Sequence, residues 1–151
     1  MEIHKILVPV DFSEHSQRAL DEAIELAQKF DAELHLLHCY QVYPVGVASP
    51  YDVMLPPSLE RTIEESARGL LSEWGRNAAR KGVKVRDHLS ASAPSSGIRQ
   101  MAETLDVDLI VMGTRGLSGL KHVLLGSVAE RTIRIAPGPV LTVKWEKAAQ
   151  S

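Results

Sequence analysis

Gly113, Gly116 and Gly126-Ser127 stand in the spacing Gly-x2-Gly-x9-Gly-Ser, directly after the apolar run Leu109-Ile110-Val111-Met112. Residues of these types in that order can hold a phosphate chain. Glycine has no Cβ, so the backbone at 113 and 116 can adopt positive φ, approach a ligand and turn several N–H groups towards one anion. Gly126 and Ser127 add N–H groups at a helix start, where the helix dipole favours negative charge, and the Ser127 hydroxyl is a further donor. Arg115 can supply a compensating positive charge. Ser127 and Glu130 also have the Ser-x-x-Glu spacing of a capping box. The plainer reading is that the glycines turn the chain and Ser127 caps its helix, which is the commoner use of a lone glycine loop.

One carboxylate belongs with this set. Asp11 follows Ile6-Leu7-Val8-Pro9-Val10 and precedes Phe12-Ser13-Glu14, so it can either cap the helix that begins there or project towards a ligand. Beside a nucleotide it would accept hydrogen bonds from ribose hydroxyls more readily than sit beside phosphate, unless Mg²⁺ intervenes.

Other chemistries fail on spacing. No Gly-x-Gly-x-x-Gly follows the first apolar run and no Gly-x4-Gly-Lys-Ser/Thr occurs, which argues against a dinucleotide oxidoreductase and a P-loop. Of the six histidines, His35 and His38 lie three apart on an expected strand, so they face opposite ways and cannot share a metal. The histidines read as structural or surface residues. Ser118 lacks the Gly-x-Ser-x-Gly setting of a nucleophile elbow, and Asp11 stands alone where a phosphoacceptor switch needs an acidic pair. No residue is assigned a catalytic or metal-ligating role. The single cysteine, Cys39, excludes an internal disulfide and a structural zinc site, and reads as a small buried hydrophobe.

The elements that must position these residues alternate along the chain. Apolar runs at Ile6 to Val10, Leu34 to Cys39, Val83 to Arg86, Leu109 to Met112 and Val140 to Val143 read as strands. Leu20, Ala23, Ile24, Ala27 and Phe30 recur at helical spacing, as do Leu59, Ile63, Ala67, Leu70, Leu71 and Trp74. A third helix carries Ile98, Met101, Ala102 and Leu105, and a fourth starts at Ser127 and ends before Pro137-Gly138-Pro139. The order βαβαβαβαβ predicts a doubly wound α/β fold with a parallel sheet and helices on both faces. The runs from Ile6 and Leu109 are the least interrupted and belong inside the sheet, the third and fifth at its edges. If the first and fourth strands are neighbours, Asp11 and Gly113 face each other across the crevice at the switch point. Residues 41–57 carry Pro44, Gly46, Pro50, Pro56 and Pro57 without periodicity, and form a long connection, either a lid or a plain surface loop.

Bulk properties narrow the class. A chain of 151 residues with 44% hydrophobic content suits one domain, expected over residues 1–147 with a polar tail at 148–151. The net charge of −2 comes from interspersed charges with no basic run, which argues against nucleic acid. No stretch reaches membrane-spanning length and the start lacks a secretory pattern, so a soluble cytoplasmic protein is expected.

Lys5-Ile6-Leu7-Val8-Pro9-Val10-Asp11-Phe12-Ser13, Asp108 to Gly116, Gly126-Ser127-Val128-Ala129-Glu130-Arg131, and Ala136-Pro137-Gly138-Pro139-Val140-Leu141-Thr142-Val143 together resemble the universal stress protein family. The resemblance spans nearly the whole chain. It implies a five-stranded sheet in the order 3-2-1-4-5, and places the glycine spacing in the ATP-binding branch. By position, Pro9, Val10 and Asp11 would line the adenosine side with Cys39 near the adenine. Met112, Gly113, Arg115, Gly116, Gly126, Ser127 and Val128 would line the phosphates and their surroundings. It also implies a homodimer through Val140, Leu141, Thr142, Val143 and Lys144, an apolar edge that a partner strand would cover. The chain departs from the pattern at Arg115, where many members have His, at Ser92-Ala93-Pro94 in place of Gly-x-Pro, and at Cys39 in place of a small aliphatic residue.

The implied function is an ATP-binding regulatory protein, with Mg²⁺, that senses or switches and hydrolyses little or nothing, since no P-loop lysine or general base accompanies the glycines. The alternative is a dimeric interaction or chaperone-like protein with weak nucleotide binding or a preference for AMP or cyclic AMP.

Overall fold

Each of the first four strands of this protein is followed by a helix that folds back over the sheet, and the two core layers follow from that alternation. The computed structural model describes residues 1–41, 56–115 and 125–144. Along them run β1 (Lys5–Pro9), α1 (Glu14–Phe30), β2 (Glu33–Tyr40), α2 (Pro57–Ala79), β3 (Lys84–Ala91), α3 (Pro94–Leu105), β4 (Leu109–Gly113), α4 (Ser127–Ile135) and β5 (Val140–Val143). The strands form one parallel sheet in the order β3-β2-β1-β4-β5. The expected doubly wound α/β architecture and strand order are therefore present, with β1 at the centre and β3 and β5 at the edges.

Side chains alternate across the sheet, so successive residues of one strand feed opposite cores. Ile6, Val8, Leu34 and Leu36 join Leu20, Ala23, Ile24 and Ala27 of α1 and Leu71 and Ala78 of α2 in the larger core. Leu7, Leu37, Ile110 and Met112 meet Ile98 and Ala102 of α3 and Ala129 of α4 in the smaller one. Burial on both faces is why β1 and β4 read as unbroken apolar runs.

Three sequence expectations are corrected. Phe30, placed on the buried face of the first helix, is 42% exposed, because α1 ends there at Asp31 in the left-handed conformation, φ 53°. On α2, Leu59 and Leu70 are exposed, and Gly75 and Ala78 are buried instead. Small residues let α2 approach β3 closely: a Cβ on Gly75 would overlap the Asp87 carboxylate. The third strand continues beyond Arg86 to Ala91, in register with β2 up to the pair Tyr40↔Ala91. Its polar second half, Asp87, His88 and Ser90, hid it from an apolar-run criterion. An edge strand tolerates such residues because one flank meets solvent.

Most of the proline-rich connection at 41–57, and the tail at 148–151, lie outside the described residues, although Pro57 opens α2. Among the described residues no helix is long and apolar enough to cross a membrane.

Candidate functional site

Strands β1 and β4 pair at Ile6↔Leu109 and Leu7↔Ile110 and then part. Beyond those positions β1 stays with β2, through Pro9↔Leu37 and the Val10 N–H donating to Leu37 O at 2.8 Å. β4 stays with β5, through Gly113↔Val143 and the Thr114 N–H donating to Val143 O at 3.2 Å. A crevice therefore opens between their carboxyl ends, where the strand order reverses and ligands of open α/β sheets bind. Asp11 stands on one lip and Gly113 on the other, as the sequence reading placed them.

The β1 lip is built around an unusual backbone. Phe12 has φ 64°, a left-handed conformation that is rare for a bulky residue and costs about 1–3 kcal/mol, a strain that clusters at ligand sites. Its ring is held 4.5 Å from the His38 ring and 5.3 Å, edge-on, from Trp74 of α2. This reversal separates Asp11 from the helix it was offered as a cap for. The cap is Ser13, whose Oγ accepts the Ser16 N–H at 3.1 Å. Asp11 instead accepts the Ser13 N–H on Oδ1 at 3.0 Å, and its own N–H meets Ser16 Oγ at 3.4 Å. Its carboxylate is oriented by the turn. Pro9 is half-buried, whereas the Val10 side chain is 4% exposed and sits in the larger core, so Val10 can offer a ligand only backbone. The Val10 carbonyl lies 2.8 Å from His38 Nδ1.

On the β4 lip the glycines have packing reasons that the phosphate argument did not contain. A Cβ on Gly113 would stand 2.9 Å from the His15 carbonyl oxygen, so glycine lets the end of β4 lie against the first turn of α1. A Cβ on Gly126 would stand 3.1 Å from the Thr114 carbonyl. The Gly126 N–H donates to that same carbonyl, at 2.5 Å, and pins together the two ends of the β4–α4 connection. Positive φ is not the reason for either: among the described glycines only Gly82 adopts it. Gly116 lies outside the described residues. Met112 is 5% exposed, its side chain in the smaller core, while Arg115 is half-buried at the mouth of the connection.

The capping-box expectation is also corrected. Gly126, not Ser127, is the N-cap of α4, and it has no side chain with which to cap the helix. Ser127 has become the first helical residue, and Glu130 pairs with Arg134 at 2.7 Å rather than turning back. The first N–H groups of α4 thus lack a side-chain acceptor from the cap, with Ser127 and Val128 exposed beside them. Such a helix start attracts anions.

Cys39 closes the β2 side. It is half-buried, its Sγ hydrogen-bonded to Ser92 and 3.9 Å from Pro94 O, and burial pushes the thiol's pKa up. A protonated thiol packed beside α3 is a wall, not a nucleophile. Gly97 gives it room: a Cβ there would come within 2.6 Å of the sulfur.

The structure thus brings Asp11, Gly113 and Arg115 to one crevice and shows Gly126 tied to it through Thr114. Sequence reasoning passed over Phe12, Ser16, Thr114 and His15. Phe12 and Thr114 lay inside the quoted motifs, but a strained φ and a buried threonine leave no mark in residue type. Among the described residues no group of three or more His, Cys, Asp or Glu side chains is arranged to hold a metal.

Comparison with known proteins places this geometry among relatives. The profile of the universal stress protein family matches residues 2–144. Universal stress protein MJ0531 of Methanocaldococcus jannaschii is 38% identical over 144 residues, 95% of this chain and 83% of that protein. Among solved structures, hypothetical protein MJ0577 superposes with a TM-score of 0.84 at 30% identity, covering 98% of this chain and 100% of the other. A universal stress protein in complex with cAMP gives 0.71 at 25% identity, covering 95% and 98%. One from Archaeoglobus fulgidus in complex with dAMP gives 0.66 at 26%, covering 94% and 98%.

Proposed function

We propose that this chain, which belongs to the universal stress protein family, is a cytoplasmic ATP-binding regulatory protein whose nucleotide occupies the crevice between β1 and β4. The observation that carries the reading is the parting of β1 from β4, with the oriented Asp11 carboxylate on one lip and a helix start without a side-chain cap tied to the other. Two solved relatives bind cAMP and dAMP, so an adenine nucleotide is the ligand class that family likeness favours.

In this reading Asp11 accepts from the ribose hydroxyls, and Pro9, the Val10 backbone and Cys39 border the adenosine. Gly113, Arg115, Gly116, Gly126, Ser127 and Val128 surround the phosphates, with Met112 behind them. Arg115 and the start of α4 complement phosphate charge. A Mg²⁺ would be held chiefly by phosphate oxygens and water, as that ion commonly is. The residues identified at the crevice include no P-loop lysine and no general base placed for water, so occupancy rather than turnover is the signal. Occupancy would be transmitted to a homodimer through β5, whose Leu141 is exposed and which, among the described residues, pairs on one side only.

Mass spectrometry of nucleotide released from gently purified protein tests this directly. The expected result is ATP, or another adenine nucleotide, near one per chain. Protein that carries none and acquires none on incubation with MgATP contradicts the reading.

A further inference from the structure

The polar groups buried between β2 and β3 have no part in the crevice. His35 is 3% exposed, on the sheet face that carries Leu7 and Leu37 in the smaller core. Its Nδ1 is 2.9 Å from Nε2 of His88 on β3, and the two rings stack with centroids 5.2 Å apart and 23° between planes. Its Nε2 is 3.0 Å from Glu33 Oε1, which also receives Arg86 Nε at 3.0 Å. This chain of contacts ties the edge strand to the sheet.

Proton bookkeeping makes the tie sensitive to acid. With Glu33 ionised and its Oε1 3.0 Å away, His35 carries its proton on Nε2, on the side of the carboxylate, although the contact is one of charge and not a formed hydrogen bond. The bare His35 Nδ1 then accepts the N–H of His88 Nε2. One added proton can be accommodated on His88 Nδ1 with every bond kept. A second must go on His35 Nδ1, and two N–H groups would then face each other across 2.9 Å.

We propose that the His35–His88 pair is an acid-sensitive latch between β2 and β3, closed while at most one proton is added and opened when both rings are charged. The groups acting on the pair are Lys5 of β1, Glu33 of β2, and Arg86 and Asp87 of β3. Glu33 and Asp87 favour the charged rings and Lys5 and Arg86 oppose them, while burial, the largest influence on each, holds both pKa values below the usual 6.5. The unfolded or opened chain therefore binds protons more readily than the closed one. The latch contributes its full stabilisation above the ordinary histidine value and loses it as pH falls through that value towards the folded ones. β3 also leads into Ser92 and the start of α3 beside Cys39, so opening would disturb the β2 side of the crevice.

Hydrogen exchange read by mass spectrometry at about pH 7 and about pH 5.5, corrected for intrinsic rates, tests the latch. Exchange of β3 amides relative to β1 should rise about tenfold in acid, as expected for local opening driven by differential proton binding. In His88→Gln, whose amide still donates to His35 but takes no proton, the rise should shrink to what the buried His35 alone contributes. An equal rise in the variant, or no rise in the parent, overturns the proposal. Should the variant not fold, NMR titration of the parent decides: His35 and His88 should take up protons below about 6.5, with the β3 amides shifting alongside. Ordinary titration with unmoved β3 amides overturns it.

Discussion

The glycines at 113 and 126 act first on the backbone around them. A Cβ at 113 would press on the His15 carbonyl, which belongs to a helix and cannot swing aside as a side-chain tip would. Gly113→Ala should therefore destabilise the fold by about 2 kcal/mol, the usual scale for overpacking a close contact. It should also weaken nucleotide binding by shifting β4 away from α1. Urea unfolding monitored by circular dichroism checks the first, and parent-like stability would contradict the packing role. Residue types singled out these glycines only through the family resemblance, since a lone glycine loop more commonly just turns the chain. They could not show why, since the neighbour that forbids a side chain, His15, lies far away in sequence and acts through its backbone. The same holds for Phe12. Its left-handed backbone goes with a ring packed against His38 and Trp74, neighbours distant in sequence, and residue type would never suggest it.

At the scale of elements, legibility followed burial. β1 and β4, apolar on both faces, and α1, with its even stripe, were read close to their observed bounds. β3 was read short because its apolar pattern stops at Arg86 while its pairing with β2 does not. The buried face of α2 was misjudged because Gly75 and Ala78 contribute close approach rather than apolar bulk. The fifth strand carries its own prediction. Leu141 is 41% exposed on an edge strand, with Ile133 of α4 also exposed. Leu141→Arg should leave the folded monomer within about 0.5 kcal/mol of the parent, as exposed substitutions usually do. If β5 is the dimer surface, light scattering after size exclusion should show a parent of twice 16.6 kDa and a largely monomeric variant. A monomeric parent, or a variant that still pairs, removes β5 from that role.

For the whole molecule, the strand order determines where chemistry can occur. Reversal at β1 and β4 opens one crevice, and the side chains brought there suit binding: a carboxylate oriented by Ser13, a helix start without a side-chain cap, an arginine and a protonated thiol. Family membership joins this to relatives whose structures are complexes with cAMP and dAMP. If the proposed site is right, Arg115 and Cys39, where the chain departs from the family pattern it resembles, would border the nucleotide, and preference among adenine nucleotides is where this protein should differ from its relatives. The most direct test is calorimetric titration of nucleotide-free protein with MgATP, AMP and cyclic AMP. The account predicts saturable binding of an adenine nucleotide, ATP preferred, with no release of ADP over the titration. Absence of heat with all three up to about millimolar concentration, a Kd scale at which binding is worth only about 4 kcal/mol, would contradict it and favour an interaction protein that works without nucleotide.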